Sequence, residues 1–273
     1  MLAVTRFRSW VLRLPPLGGQ SGHGLAAVAG IAAMLVVTLA GAAAPRAVPA
    51  PRTRDAAPAR AAGRGATRRT SCTSVAHIGD STSADLISSA DLPDPAQQLP
   101  ARYADVGVRH LLIDASGGRS IVETLPGQVN GYNVALSWWN EGYRGCWVFA
   151  LGTNDAANVA AGSGVGMMAR IQEMMSVAHG EPVMWVNTIT QLGSGPYAEA
   201  NEQLWDDALL RALAMYPNMR IFDWAAVAVA QPSWFLPDGI HYNSAGCAAR
   251  AQDIADALAQ AFPLHGRSSP IVR

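Results

Sequence analysis

Lysine is absent from the chain, and all 20 of its basic residues are arginines. Together with the abundance of alanine, this reads as a codon bias toward GC with no functional content. Arginine is also scarce where a nucleic-acid surface would need it. Ten arginines fall within residues 1–70 against the single acid Asp55, which leaves ten arginines and 19 acids for the remainder, a net of −9. Phosphate neutralisation requires clustered Lys or Arg, so a body this acidic argues against nucleic acid as a partner. Cysteine is sparse too. Cys72, Cys146 and Cys247 permit one disulfide and leave one thiol over, and without a C-x-x-C pair their spacing does not suggest zinc. The sequence shows no other convincing metal-ligand cluster, phosphate-binding glycine loop or dinucleotide fingerprint, so neither a metal nor a cofactor is expected.

What the chain does have is apolar bulk. Half of its 273 residues are hydrophobic, enough to fill the core of one sizeable α/β domain beside a short accessory segment. That segment is N-terminal. Residues 1–23 are basic, and residues 24–44, "GLAAVAGIAAMLVVTLAGAAA", carry no charge over a length that matches the roughly 20 residues of a spanning helix. Arg6, Arg8 and Arg13 precede this run and small residues close it, so it reads either as an uncleaved membrane anchor or as a long signal peptide. Arg46, Arg52, Arg54 and Arg60 follow closely and leave its orientation open on charge alone. Residues 45–70 are Pro, Ala, Arg and Gly with almost no bulky apolar residue, the composition of a solvated linker. The expected order is a basic segment, an anchor or signal, a linker, a globular domain at 71–264 and a tail at 265–273, with the domain exported to the cell envelope, anchored there or secreted.

Within the domain, apolar runs rich in β-branched residues at 73–78, 110–114, 146–151, 183–189 and 219–224 lack strict alternation. Helical stretches are expected between them near 95–103, 126–139, 165–178 and 198–215, with a last one at 245–262. Continuous runs that alternate with amphipathic segments imply buried parallel strands, hence a doubly wound α/β sheet whose ligands sit beyond the carboxyl ends of the strands.

Four polar, glycine-containing turns fall at that edge. They are "GDS" ending at Ser81, "ASGGRS" at 115–120, "GTND" at 152–155 and "DGIH" at 238–241. A serine hydroxyl is a poor nucleophile at neutral pH and needs a base to take its proton and a carboxylate to orient that base. His241 and Asp238, three apart in one short turn, supply both; the bland alternative is a structural turn with a satisfied histidine. Gly79 lets the chain turn off its strand, Asp80 suits a turn-fixing role, and Ser81 would open a helix whose first N–H groups are unpaired. Taken alone, "GDS" also fits a plain N-cap serine. The oxygen of a tetrahedral intermediate needs two or three donors, for which the Ser81 N–H, the Gly118 N–H and the Asn154 side-chain amide are candidates. Gly117 replaces Gly118 if the loop is phased one residue earlier, and Asn154 is alternatively a turn cap.

These four motifs, in this order across residues 73–262, resemble the SGNH (GDSL-type) hydrolase family. The resemblance implies a three-layer α/β/α sandwich with a five-stranded parallel sheet ordered 2-1-3-4-5. It also implies Ser81 as nucleophile, His241 as base, Asp238 as its orienter, and Gly118 and Asn154 completing an oxyanion hole with Ser81. In that strand order the first and third strands are neighbours, and Cys72 and Cys146 both stand at their beginnings, so these two are expected to form the disulfide and Cys247 to stay a buried thiol. His77 and His110 read as structural histidines, and Asp85, Asp114 and Asp155 as loop or cap residues. At least one of Trp138 and Trp139 is expected in the core. Trp234, Phe235 and Leu236 either wall an acyl pocket or pack beneath the 238–241 turn, while segments 83–108 and 190–198 frame the site.

The expected activity is hydrolysis of a small-molecule, glycan or lipid ester, with a short acyl chain, through an acyl-serine. The alternatives are an O-acyltransferase acting on envelope glycans or glycolipids with the same residues, and a non-catalytic glycan-binding module. The N-terminal segment is the expected contact with the membrane.

Overall fold

A computed structural model describes residues 68–273. The basic segment, the anchor or signal and all but the last residues of the linker lie outside the described residues. At the linker's end, Thr70 is already part of the domain: it is buried, its N–H bonds the Val106 carbonyl at 2.9 Å, and its hydroxyl bonds the Phe262 carbonyl at 2.9 Å.

Apolar runs make the sheet, buried on both faces at its centre and partly exposed along the His110–Ala115 edge. Strand β1 (Ser74–Gly79) is flanked by β2 (His110–Ala115) and β3 (Cys146–Ala150), followed outward by β4 (Val183–Val186), β5 (Met219–Phe222) and β6 (Ile271–Val272). All pairs are parallel, and the order is β2-β1-β3-β4-β5-β6. The first five strands stand in the expected order 2-1-3-4-5. The sixth is a correction, because the terminal segment at 265–273 is no tail. The N–H groups of Ile221 and Asp223 donate to the Pro270 and Val272 carbonyls at 2.9 Å each, so the segment satisfies what would be a bare edge of β5. Two residues are too short a run to show a strand period, which is why the sequence does not announce it.

Among the described residues, eight α-helices sheathe the sheet: α1 (Ser81–Ala84), α2 (Leu99–Val106), α3 (Gly131–Asn140), α4 (Thr153–Ala160), α5 (Met167–Val177), α6 (Glu199–Leu213), α7 (Trp224–Ala228) and α8 (Ser244–Ala261). Alternate strand residues face opposite layers. Val75, Val148, Met184 and Phe222 pack with Leu99, Tyr103, Ile254 and Leu258 of α2 and α8. On the other face Ala76, Ile78, Trp147, Phe149 and Trp185 pack with Ile171, Met174, Trp205 and Leu209 of α5 and α6. This is the three-layer α/β/α sandwich.

The expected strands at 183–189 and 219–224 stop early, at Val186 and Phe222. The Asn187 N–H still donates to the Phe222 carbonyl at 3.1 Å, and its side chain ties the two strand ends together: its amide donates to Asp223 Oδ1 at 3.0 Å and its oxygen accepts the Ala225 N–H at 2.9 Å. Asp223 then caps α7 through the Ala226 N–H.

Cys72 and Cys146 are bonded to each other, with Cα atoms 5.7 Å apart, at the end of the sheet opposite Ser81. Cys247 is the buried free thiol. Burial pushes its thiol up to about 12.

Candidate active site

The polypeptide leaves β1 through Gly79 and Asp80. Gly79 is dictated by space: a Cβ there would stand 2.3 Å from Ser83 Cβ and Oγ, so the residue lets α1 fold back against the strand end. Asp80 caps that helix, its Oδ1 accepting the Thr82 N–H at 2.9 Å and the Thr82 hydroxyl at 2.8 Å. Burial raises its pKa against the pull of Thr82 and of the Arg250 guanidinium. Ser81 is thereby placed as the first residue of α1, where its N–H has no acceptor within the helix.

Across the cleft, Asp238 and His241 share one turn ahead of α8. Asp238 Oδ1 accepts the N–H groups of Ile240 and His241 at 2.9 and 3.0 Å, and its Oδ2 lies 2.7 Å from His241 Nδ1. Burial alone would raise this carboxyl, but those three interactions outweigh it and hold its pKa below the ordinary value. The Leu236 N–H donates to the His241 carbonyl at 2.8 Å, and Asn243 caps α8 through the Gly246 N–H at 3.0 Å, so both ends of the turn are fixed. His241 Nε2 lies 2.8 Å from Ser81 Oγ although the two residues are 160 positions apart. The Asp238 carboxylate can only accept, which assigns the proton to Nδ1 and leaves Nε2 free to accept the serine hydroxyl.

The third side of the cleft is the loop after β2. Gly118 has φ +71, a left-handed conformation that favours glycine, and a Cβ there would meet Leu125 Cδ1 at 2.6 Å, whereas Gly117 faces open space. The conformational demand therefore falls on Gly118, and both glycines line the cleft. Asn154, near the start of α4, donates from Nδ2 to the Arg119 carbonyl at 3.0 Å and accepts the Tyr197 hydroxyl at Oδ1, 3.1 Å away. Ser81, Gly117, Gly118, Thr153, Asn154, Tyr197, Ile240 and His241 together enclose about 360 Å³.

Side chains outside the expected site residues hold this loop. Arg119, nearly buried, donates to the carbonyls of Asp114 (2.8 Å), Val129 (3.1 Å) and Gly79 (3.4 Å) and pairs with the Asp114 carboxylate at 2.9 Å. It thus fastens the glycine loop to the elbow that carries Ser81. Asp155 Oδ1 accepts the Ile121 N–H at 2.9 Å and Arg170 Nη1 at 2.8 Å. Burial raises the Asp155 carboxyl against the opposing pull of those donors. Arg170 also bonds Glu123, whose pKa it draws down to about 2 despite partial burial, with Ser163 and Ser120 assisting. The sequence reading of Asp114 and Asp155 as loop and cap residues misses these ion pairs. The available signal is an arginine inside an otherwise apolar helical face at Met167–Val177, which needs an acid to be buried at all.

The remaining expectations separate cleanly. Trp234 stacks on Trp224 at 5.9 Å and 9°, and Phe235 packs on Tyr242 at 4.9 Å, so these two lie beneath the catalytic-side turn and do not wall the cleft. His77 is buried between the Tyr103 hydroxyl (2.9 Å) and Ser83 Oγ (3.0 Å), and burial, with Arg250 nearby, lowers it to about 3. His110 is exposed on the edge strand. Trp138 and Trp139 are both half-buried, packed against the core and not within it. From segment 190–198, Tyr197 reaches the cleft; segment 83–108 contributes no lining residue.

No family model matches the sequence. No curated protein matches it either. Solved structures do. TesA is 19% identical over 68% of this chain and 98% of its own, with a TM-score of 0.51. A carbohydrate acetylesterase family member from Sinorhizobium meliloti is 15% identical over 68% and 97%, with a TM-score of 0.51. A Slackia heliotrinireducens protein assigned as an SGNH hydrolase is 18% identical over 68% and 98%, with a TM-score of 0.47. At such identities the likeness speaks for architecture, and the architecture is the SGNH hydrolase fold.

Proposed function

We propose that this protein is a serine esterase that cleaves short-chain acyl esters through an acyl-Ser81 intermediate. The observation that carries the reading is the relay of contacts from Asp238 to His241 to Ser81, 2.7 and 2.8 Å long, at the mouth of a cleft. In the forward step Ser81 Oγ gives its proton to His241 Nε2 and bonds to the ester carbonyl carbon, and the carbonyl oxygen takes the negative charge. The Ser81 N–H, the Gly118 N–H and the second Asn154 amide N–H are the donors for that oxygen. His241 returns the proton to the departing alkoxide as the tetrahedral centre collapses, and water repeats the sequence to release the acid. Asp238 stays ionised and stabilises the imidazolium.

The lining supports a small acyl group: of the side chains around this cleft of about 360 Å³, Ile240 is the aliphatic one among the described residues, beside two glycines and the polar Thr153, Asn154 and Tyr197. The Cys72–Cys146 bond supports an oxidising compartment, in keeping with export through the N-terminal run and residence in the cell envelope or outside it. The membrane contact proposed for that run lies outside the described residues.

The test is a chain-length series of p-nitrophenyl esters with the full-length protein and its Ser81→Ala variant. Turnover that falls from acetate toward longer acyl chains and vanishes in the variant, with an unchanged melting midpoint, is the expected result. Full activity in the variant ends the proposal. If an added sugar captures the acyl group in preference to water, the protein is a transferase on the same residues; if a fluorophosphonate fails to label Ser81 in folded protein, it is a glycan-binding module.

A further inference from the structure

The Asn154 amide is held at both ends, and the identity of its two neighbours settles which way it points. The Arg119 carbonyl can only accept, so the nitrogen must face it at 3.0 Å and the oxygen must face the Tyr197 hydroxyl at 3.1 Å. One amide N–H is spent on Arg119, which leaves the other for the cleft that Asn154 shares with Ser81 and Gly118. The Arg119 side chain is itself tied to the Gly79, Asp114 and Val129 carbonyls. The remaining freedom of the amide is rotation about its own side chain, and among the described residues it is the tyrosine that opposes this from the oxygen end.

Tyr197 is in turn braced. Its carbonyl accepts the Thr190 hydroxyl at 2.7 Å, the Thr190 N–H donates to Glu199 Oε2 at 2.8 Å, and the Glu199 N–H donates to the Leu192 carbonyl at 2.8 Å. The same segment meets the opposite side of the cleft, where the Gln191 N–H donates to the Gly239 carbonyl at 2.7 Å within the Asp238–His241 turn. Residues 190–198 therefore touch both the turn that carries the base and the amide that faces the oxyanion. Burial, with Asp80 and Glu202 nearby, raises the phenol's pKa, so the hydroxyl remains a donor.

We infer that Tyr197 is a positioning residue for the oxyanion hole: its hydroxyl, bonded to Asn154 Oδ1, aims the free Asn154 N–H at the developing negative charge. The inference rests on the serine-esterase reading of this cleft. It predicts an effect on the transition state and little on ground-state binding, because the phenol acts on the amide and not on the ester.

The experiment is a double-mutant cycle with Tyr197→Phe and Asn154→Ala in the full-length protein, read as kcat and KM on p-nitrophenyl acetate. Tyr197→Phe is expected to lower kcat about three- to tenfold, the value of one hydrogen bond, with KM within about twofold of the parent. In the Asn154→Ala background the same change is expected to cost nothing further. Inhibition by a boronic acid, which forms a tetrahedral adduct on Ser81, should weaken by the same factor as kcat in the single variant and supplies a reading that does not depend on turnover. Unchanged kcat in Tyr197→Phe, a loss confined to KM, or an equal loss in both backgrounds overturns the inference. Failure of the esterase reading shows separately, as parent protein that is neither labelled by a fluorophosphonate nor active on any ester.

Discussion

On one side of the cleft Asp238 and His241 sit in a single turn with side chains 47% and 32% exposed, while on the other the glycine loop is held by Arg119, Asp155 and Arg170, whose side chains are 4%, 0% and 0% exposed. The first side is built from contacts spanning three residues. The second adds to the contacts of Arg119 ones that span 15 and 47, from Asp155 to Arg170 and from Glu123 to Arg170. A partly solvated turn can orient an imidazole because water screens whatever the turn leaves unpaired. In the proposed reaction the donors for an oxyanion must be stiff before the charge arrives, and stiffness here comes from buried charges that are each held by several partners.

The comparison breaks most visibly if the exposed side turns out to tolerate change. Replacing Asp238 by Asn keeps an oxygen for the Ile240 and His241 N–H groups, so the turn survives, but an amide N–H facing Nδ1 favours the tautomer whose proton sits on Nε2. That nitrogen then cannot accept the Ser81 hydroxyl. An Asp-to-Asn change of this kind lowers kcat about ten-thousandfold in serine proteases, and an effect of that order is expected here with little change in melting midpoint. A loss below tenfold would mean that Asp238 does not set the tautomer.

The buried side should behave in the opposite way. Arg170→Met leaves Asp155 without its cation in a fully buried position, a situation that costs about 3–5 kcal/mol. Denaturant titration should show that loss in stability, and kcat on short esters should fall as the 116–130 loop loosens. A variant that loses activity and keeps full stability would assign Arg170 to chemistry and erase the distinction between the two sides. Removing the Cys72–Cys146 bond by a double change to Ser provides the control, since the bridge lies at the far end of the sheet. It should cost about 2–4 kcal/mol with kcat unchanged in the protein that remains folded.

The same difference explains what the sequence makes legible. The five longer strands follow from continuous apolar runs broken by helical stretches, their order is what the resemblance carried by the four motifs implies, and Ser81, His241 and Asp238 stand in short motifs whose geometry is local or terminal to a strand. The ends of β4 and β5 are not legible, because the Asn187 and Asp223 side chains bond each other across the strand ends, a contact that no local pattern encodes. Nor is β6, whose two residues matter only because β5 needs an edge partner. Glu123, Asp155 and Arg170 look like surface or capping residues one at a time; they become a clamp only when the fold brings them together. Tyr197 is hidden for the same reason, its value lying in an amide 43 positions away.

The smallest expected effect is also the one that discriminates the two carboxylates. Glu123 and Asp238 both have depressed pKa values, Glu123 through Arg170, Ser163 and Ser120 after a partial burial cost, Asp238 through its own turn. A carboxylate whose folded pKa lies below its unfolded value contributes stability that is fully present above the unfolded pKa and is lost as pH falls toward the folded one. For Glu123 that window runs from the ordinary 4.5 down to about 2. Glu123→Gln should therefore lower the melting midpoint near neutrality and flatten its decline across that acid range, leaving parent and variant closest at the bottom of it. With its side chain 34% exposed, solvent screens part of the interaction, so the shift should be smaller than that of Arg170→Met. Parallel acid profiles for parent and variant would show that the Glu123 charge is not felt by folding, and that the glycine loop is held by Arg119 and by the Asp155–Arg170 pair without it.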